Sequence, residues 1–229
     1  MLMKLLAIDT STEACSAALS INGEISERYE IAPRKHAELI LPMIDELLSD
    51  AGCTLAQMDA IAFGRGPGAF TGVRIGTGVV QGLAFSVDCP VVPVSSLAAM
   101  AYGTMQELMV DNVLAGIDAR MGEVYWGAYQ RSADGGVQLL GEERVCQPDA
   151  AFIPPSDGWT GAGTAWQTYG EALAARLAGQ LVEYHADVFP RASYIAGLGV
   201  LGVAAGEAVV ADGAQPVYLR NNVAKKKSN

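Results

Sequence analysis

Residues 59–85, DAIAFGRGPGAFTGVRIGTGVVQGLAF, restrict the fold of this chain more than any other stretch. A short apolar run at 60–63 leads into a loop with Gly64, Gly66 and Gly68. A helical pattern then starts near Thr71, whose hydroxyl is placed to cap the first turn. Each glycine in a helix interior costs about 0.8–1 kcal/mol against alanine. Gly72, Gly76, Gly78 and Gly82 therefore need close packing in return. At helical spacing Gly72 and Gly76 share a face with Val79 and Leu83, while Gly78 and Gly82 share another beside Ile75. Only Arg74, Thr77 and Gln81 form a polar strip. The pattern predicts a helix approached closely on two sides, by its own sheet and by another helix of this or a second molecule.

The chain opens with an apolar strand at 5–9 that ends on Asp9, followed by Thr10, Ser11 and Thr12. Strand patterns at 14–21 and 24–31 are joined by Asn22-Gly23, a strong hairpin signal. A helix is expected at 36–51, with Leu39, Ile40, Met43, Ile44, Leu47 and Leu48 at helical spacing and Gly52 as its stop. Pro42 is expected to kink it or remove a hydrogen bond. After the 59–85 unit come a strand at 90–94 and a helix at 95–103, giving βββαβαβα. VLAGID at 113–118 restarts the pattern, with strands at 122–130 and 137–145 around an Asp134-Gly135-Gly136 turn. The expectation is a duplicated α/β chain with βββαβα-type lobes at 1–105 and 106–229. Further on, 148–158 reads as loop, 160–163 as a glycine turn, and 165–178 and 191–211 as helices. Residues 216–220 read as extended and lead to a solvated tail carrying Lys225–Lys227. The second lobe is the divergent one, and its last helix and tail have the first lobe to pack against.

A net charge of −10 disfavours a protein that grips nucleic acid unaided, because that binding rests on neutralising phosphates. The four cysteines are scattered without a CxxC pair, which points to reduced thiols rather than zinc or disulfides. The N-terminus lacks a signal-peptide pattern, and the longest apolar run, 194–206, is too short and glycine-rich to cross a bilayer; a soluble, cytoplasmic protein is expected. Residues 64–69 fit GxGxx[GA] between strand and helix, but Pro67 removes an amide a phosphate would want, and three antiparallel opening strands disagree with a dinucleotide fold. Asp9-Thr10-Ser11-Thr12 has two readings. One is the phosphate loop of the actin–hexokinase superfamily, in which an acid orients magnesium or water; the other is a strand-ending turn capped by short polar side chains. The second copy, Asp118-Ala119-Arg120, lacks the glycine usual there. A metal-binding helix needs ligands four residues apart, and His36 is answered by Ile40, so His36 is read as a surface or capping residue. No catalytic constellation is visible.

On LLAIDTSTEACSAAL, IAFGRGPGAFTGVRIG, PVSSLAAMA, IDARMGEVYWGAY and PVYLRN, the chain resembles the bacterial TsaB (YeaZ) family over nearly its whole length. The resemblance implies the duplicated actin-like (ASKHA, ribonuclease-H-like) fold. It implies a non-catalytic partner of the paralogue TsaD, which transfers a threonylcarbamoyl group to the adenosine beside the anticodon of tRNAs reading codons that start with A. It further implies the ATPase TsaE and a second copy of the chain as partners, tRNA contact only through the complex, and no membrane. The isolated chain then needs no cofactor, ATP and metal being used by the partner subunits. The HxxxH metal pair of TsaD stands here as His36 and Ile40, and the older glycoprotease label, which derives from that paralogue, finds no support. Asp9, Thr10 and Ser11 become a vestigial phosphate loop. The partner surface is expected on the first two helices, through His36, Ile40, Met43, Ile44, Leu47, Gly72, Val73, Arg74, Gly76, Thr77, Gly78, Val80 and Gln81. The competing reading is an autonomous ATPase or phosphotransferase of the superfamily, with ATP binding that depends on Asp9.

Overall fold

The computed structural model describes residues 3–220; the lysines at 225–227 lie outside them. The first sheet is built from β1 (Lys4–Asp9), β2 (Ala14–Ile21), β3 (Glu24–Ile31), β4 (Ala60–Gly64) and β5 (Val91–Val94), in the order β3-β2-β1-β4-β5. The second uses β6 (Asn112–Arg120), β7 (Glu123–Arg131), β8 (Val137–Cys146), β9 (Trp159–Ala162) and β10 (Leu181–His185), in the order β10-β9-β6-β7-β8. Read from the other edge, the second order is the first repeated. Each sheet has an antiparallel three-strand meander followed by two parallel strands. The helices are α1 (His36–Asp50), α2 (Phe70–Val87), α3 (Ser96–Leu108), α4 (Thr164–Arg176) and α5 (Ala192–Ala204).

Alternation along the strands decides which helix covers which face. Leu6, Ile8, Ile61 and Phe63 point to the side packed by Ile40, Ile44 and Leu47 of α1 and by Val80 and Ala84 of α2. Leu5, Ala7, Ala60 and Ala62 point to the other side, where Ile195 and Ala196 of α5 lie. The alanines and Gly199 let α5 sit close: a β-carbon at Gly199 would stand 2.7 Å from that of Ala62. On the second sheet, α4 covers one face with Trp166 and Leu173, and α3 covers the other with Leu97, Met100 and Met105. The closing helix of each half thus lies on the sheet of the other half. The two closing helices also grip each other, with Tyr194 against Gly103 and Tyr102 against Gly197. A cut at 105/106 falls inside α3 and separates each sheet from the helix that covers one of its two faces.

Local details depart from expectation in places. Asn22 and Gly23 take φ of 58° and 91°, as the hairpin requires. Gly52 ends α1 at φ 59°, with the Cys53 amide bonded to the Leu48 carbonyl at 2.9 Å. Pro42 does not break α1, which runs on through it; both Pro42 and Glu38, four residues earlier, are exposed, so the unpaired carbonyl faces water. Residues 160–163 are largely strand rather than turn, because Thr160, Gly161 and Ala162 are buried in parallel register with β6. A further strand, at 181–185, is absent from the sequence reading; it lies at the sheet edge with Val182, Glu183 and Tyr184 exposed, so its residues carry no pattern of one buried face. The last helix stops at Ala204, not 211: Gly206 takes φ 76°, and Val209 then pairs antiparallel with Val91. All four thiols are free; burial pushes Cys15 up to about 12 and Cys89 to about 11, where they behave as small apolar groups.

Candidate functional site

The turn after β1 is packed shut by the chain itself. Asp9 is 1% exposed, and its Oδ1 accepts the Ser11 amide and hydroxyl, both at 2.9 Å. The Thr10 hydroxyl donates to the Gly72 carbonyl at 2.7 Å, and the Ala69 amide donates to the Ser11 carbonyl at 2.7 Å. A β-carbon would come within 2.2 Å of the Ser11 carbonyl oxygen at Gly68, and within 2.6 Å of the Thr10 hydroxyl at Gly76. The glycine run thus presses the start of α2 into the space over the turn. Burial pushes the Asp9 carboxyl up to about 6, against the opposing pull of the Ser11 hydrogen bonds. The helix begins at Phe70 with Ala69 as its cap; Thr71 does not cap it, because the Ala69–Ser11 bond already fixes where the helix starts.

The equivalent turn of the second half is closed by ion pairs. Asp118 accepts the Arg120 amide at 2.8 Å and the Thr168 hydroxyl at 3.2 Å, and its other contact is the Arg120 guanidinium at 3.2 Å. Arg120 and Met121 take φ of 61° and 58° to make that bend. The same guanidinium reaches Glu13 at 2.8 Å, tying the two turns together across the gap between the lobes. A phosphate here would have to displace these partners.

A cleft of about 500 Å³ lies between the turns, lined by Phe70, Arg74, Met121, Tyr125, Tyr218 and Arg220 among others. Arg220 binds Glu123 at 2.5 Å and so anchors the C-terminal segment to β7. A second cleft, of about 420 Å³, opens between α3, α5 and β8. There Glu143 accepts hydrogen bonds from Ser95 and, at 2.5 Å, from Tyr129. Burial and the adjacent carboxylate raise the Tyr129 phenol well above its ordinary range. Neither group was visible in the sequence, since each joins residues far apart in the chain. Part of the first was within the PVYLRN match, but only as a pattern.

Most of the residues expected at the partner surface are used inside the chain. Ile40, Met43, Ile44, Leu47 and Val80 are core residues against the first sheet. Gly72, Val73 and Gly76 are buried, the two glycines against Thr10. Thr77 donates to the Val73 carbonyl and Gln81 to the Ala214 carbonyl. His36 is buried rather than exposed and is not a cap, a place held by Lys35; its Nε2 has no partner among the described residues. Arg74 and Gly78 do face outward, together with Phe70, Gly82 and Phe85 of α2 and Leu41 of α1. The spacing found both seams but not their sides: Gly72/Gly76 faces in, and nothing lies within 4 Å of the β-carbon positions of Gly78 and Gly82. Among the described residues no three His, Cys, Asp or Glu side chains converge as a metal cluster, and no helix is long and apolar enough to cross a membrane.

Two lobes of one strand order, facing each other across a cleft and covered by exchanged helices, define a duplicated actin-like α/β protein. The sequence profile described as "TsaD: tRNA N6-adenosine threonylcarbamoyltransferase" matches residues 25–228. The "tRNA threonylcarbamoyladenosine biosynthesis protein TsaB" of Escherichia coli (strain K12) is 42% identical over 98% of both chains. That of Haemophilus influenzae is 42% identical over 98% of this chain and 97% of its own. A solved structure described as "YeaZ from Pseudomonas aeruginosa" superposes with a TM-score of 0.89 at 49% identity, covering 95% of this chain and all of that one. The chain belongs to the TsaB (YeaZ) family.

Proposed function

We propose that this chain serves tRNA threonylcarbamoyladenosine biosynthesis as a non-catalytic subunit, acting in the cytoplasm beside TsaD and TsaE. The observation that carries the non-catalytic part is the turn after β1: the Thr10 hydroxyl is spent on the Gly72 carbonyl of α2, the Ser11 amide and hydroxyl on Asp9, and the Ser11 carbonyl on the Ala69 amide that caps α2. Phosphate binding at this turn would need those groups free. In this reading ATP and metal belong to the partner subunits, and tRNA is met only through the complex. The outward faces of α1 and α2 take TsaD or a second copy of the chain. Exposed Leu41 and Phe85 and the open Gly78/Gly82 seam support that placement.

The test is reconstitution with the TsaD and TsaE homologues of the same genome, threonylcarbamoyl-adenylate and a tRNA reading a codon that starts with A. Modified adenosine, measured by mass spectrometry of the digested tRNA, is expected only when this chain is present. The chain alone should neither modify tRNA nor hydrolyse ATP. ATP hydrolysis that survives purification and disappears with Asp9→Ala would instead establish an autonomous enzyme.

A further inference from the structure

We propose that Phe70, Arg74 and Tyr218 form a preorganised receptor for one carboxylate side chain of a protein partner docking on α2. The inference rests on the partner role above and names the chemistry of the contact. Arg74 stands one turn after Phe70 on the exposed side of α2, and its guanidinium lies 3.9 Å over the Phe70 ring. Its Nε donates to the Tyr218 hydroxyl at 2.9 Å. The two rings pack against each other with centroids 5.4 Å apart. Tyr218 is itself held from both sides, by the Val217 amide on the Arg65 carbonyl at 2.8 Å and by Arg220 on Glu123. The match to PVYLRN thereby acquires a physical role: the segment holds Arg74 in place.

Two features say what Arg74 is held for. Arg28, Arg120, Arg131, Arg144, Arg191 and Arg220 each pair with a carboxylate, whereas Arg74, like Arg34, Arg65 and Arg176, has none within 4.0 Å among the described residues. With Nε spent on Tyr218, the two terminal nitrogens keep their donors for a forked contact, the geometry that suits an oxyanion. An exposed arginine ordinarily loses rotamer freedom when it pairs; here the ring and the hydroxyl have already removed it. The first turn of α2 has no acidic residue and no side-chain cap, so the positive end of that helix also favours an anion.

The surroundings select a single carboxylate over a polyphosphate. Glu13, Asp118 and Glu123 balance Arg74, Arg120 and Arg220 around the cleft, and the chain carries a net charge of −10. Nucleic acid would be repelled at long range, while a folded partner can present one acid within an apolar rim that covers the half-exposed Phe70.

The experiment is calorimetric titration of the full chain with the TsaD homologue of the same genome, using wild type, Arg74→Ala, Arg74→Lys, Arg74→Glu and Tyr218→Phe, each first checked by thermal melt. Arg74→Ala should weaken binding about 10- to 100-fold, the value of a lost charge-assisted bond. Arg74→Lys should lose nearly as much, because an ammonium cannot make the fork, and Tyr218→Phe about three-fold. Replacing surface acids of the partner by lysine, one at a time, should yield one variant that restores binding to Arg74→Glu. Affinities of Arg74→Ala and Arg74→Lys within twofold of wild type would overturn the inference while leaving the functional reading standing. Inorganic phosphate or a short RNA bound by wild type and lost in Arg74→Ala, with partner affinity unchanged, would overturn it in favour of a phosphate ligand. If wild type gives no complex at all, the functional reading fails and the receptor fails with it.

Discussion

The β-carbon that Gly72 lacks would stand 2.1 Å from the carbonyl oxygen of Thr10. No real side chain tolerates that distance, so the approach of α2 to the turn after β1 depends on this glycine. The approach in turn fills the space over that turn, and it leaves the opposite side of α2 as bare backbone and exposed side chains. One packing relationship thus closes one surface and opens another.

Gly72→Ala should therefore lower stability by about 1–3 kcal/mol, the usual cost of forcing a methyl group into a packed site. Gly82→Ala, in the same helix with nothing within 4 Å, should raise it by up to about 1 kcal/mol through helix propensity. Urea denaturation midpoints of the two variants check this. Equal midpoints would mean that the turn and helix can separate without cost.

The buried acid gives a pH signature. Asp9 moves from 3.8 to about 6, so the folded protein binds more protons than the unfolded chain between those values. Its protonation contributes stability that is fully present below about pH 4 and is lost as pH rises through 6. The shift corresponds to at most about 3 kcal/mol at pH 7. Asp9→Asn keeps the shape and an acceptor for Ser11 without the charge. Its stability should be flatter across this window and at least equal to wild type near pH 7.5. Denaturation at about pH 4.5 and 7.5 tests the sign; a variant much weaker at the higher pH would show that the ionised carboxylate is needed.

Those two effects also mark what was legible in advance. Short continuous apolar runs at 5–8 and 60–63 and helical spacing in 36–51 mark out the first lobe, and Asn22-Gly23 marks its hairpin. The βββ restart at 113 could be read because Asp118 repeats the place of Asp9 at a strand end. What could not be read was handedness of use. Ile40 and Leu47 are equally apolar whether they face a sheet or a partner, and a glycine seam carries no sign of inside or outside. The exchange of α3 and α5 between sheets leaves no local trace, since α5 is apolar all round. The Arg74–Tyr218 contact spans 144 residues, beyond any spacing argument.

The C-terminal segment should loosen when its anchor is cut. Arg220 is largely buried, binds Glu123 at 2.5 and 3.1 Å and reaches the Arg120 carbonyl at 3.3 Å. Truncation to alanine removes a charge-assisted pair worth about 1–3 kcal/mol. In Arg220→Ala the Val217 amide, bonded to the Arg65 carbonyl, should exchange hydrogen about ten-fold faster or more than in wild type. Unchanged exchange at Val217 would show that Tyr218 and Phe70 hold the segment without Arg220.

The two glycine seams separate folding from assembly. At Gly76 a β-carbon would stand 2.6 Å from the Thr10 hydroxyl oxygen, within the buried side of α2. A leucine there has no room, so Gly76→Leu should fail to fold or melt far below wild type. At Gly78 the helix is exposed and its β-carbon position is open, so Gly78→Leu should fold with a near-normal melt. Its side chain would nevertheless project from the face between Arg74 and Gly82, where a partner helix is proposed to approach. Interface energy concentrates at a few central contacts, and a bulky residue there holds two backbones apart. Gly78→Leu should then lose association with itself and with the TsaD homologue together, because both are assigned to one surface. Size-exclusion chromatography with light scattering, on the variant alone and mixed with the homologue, reads both assemblies. Loss of only one would mean that the two partners use different faces, and loss of neither would move the partner surface off α2.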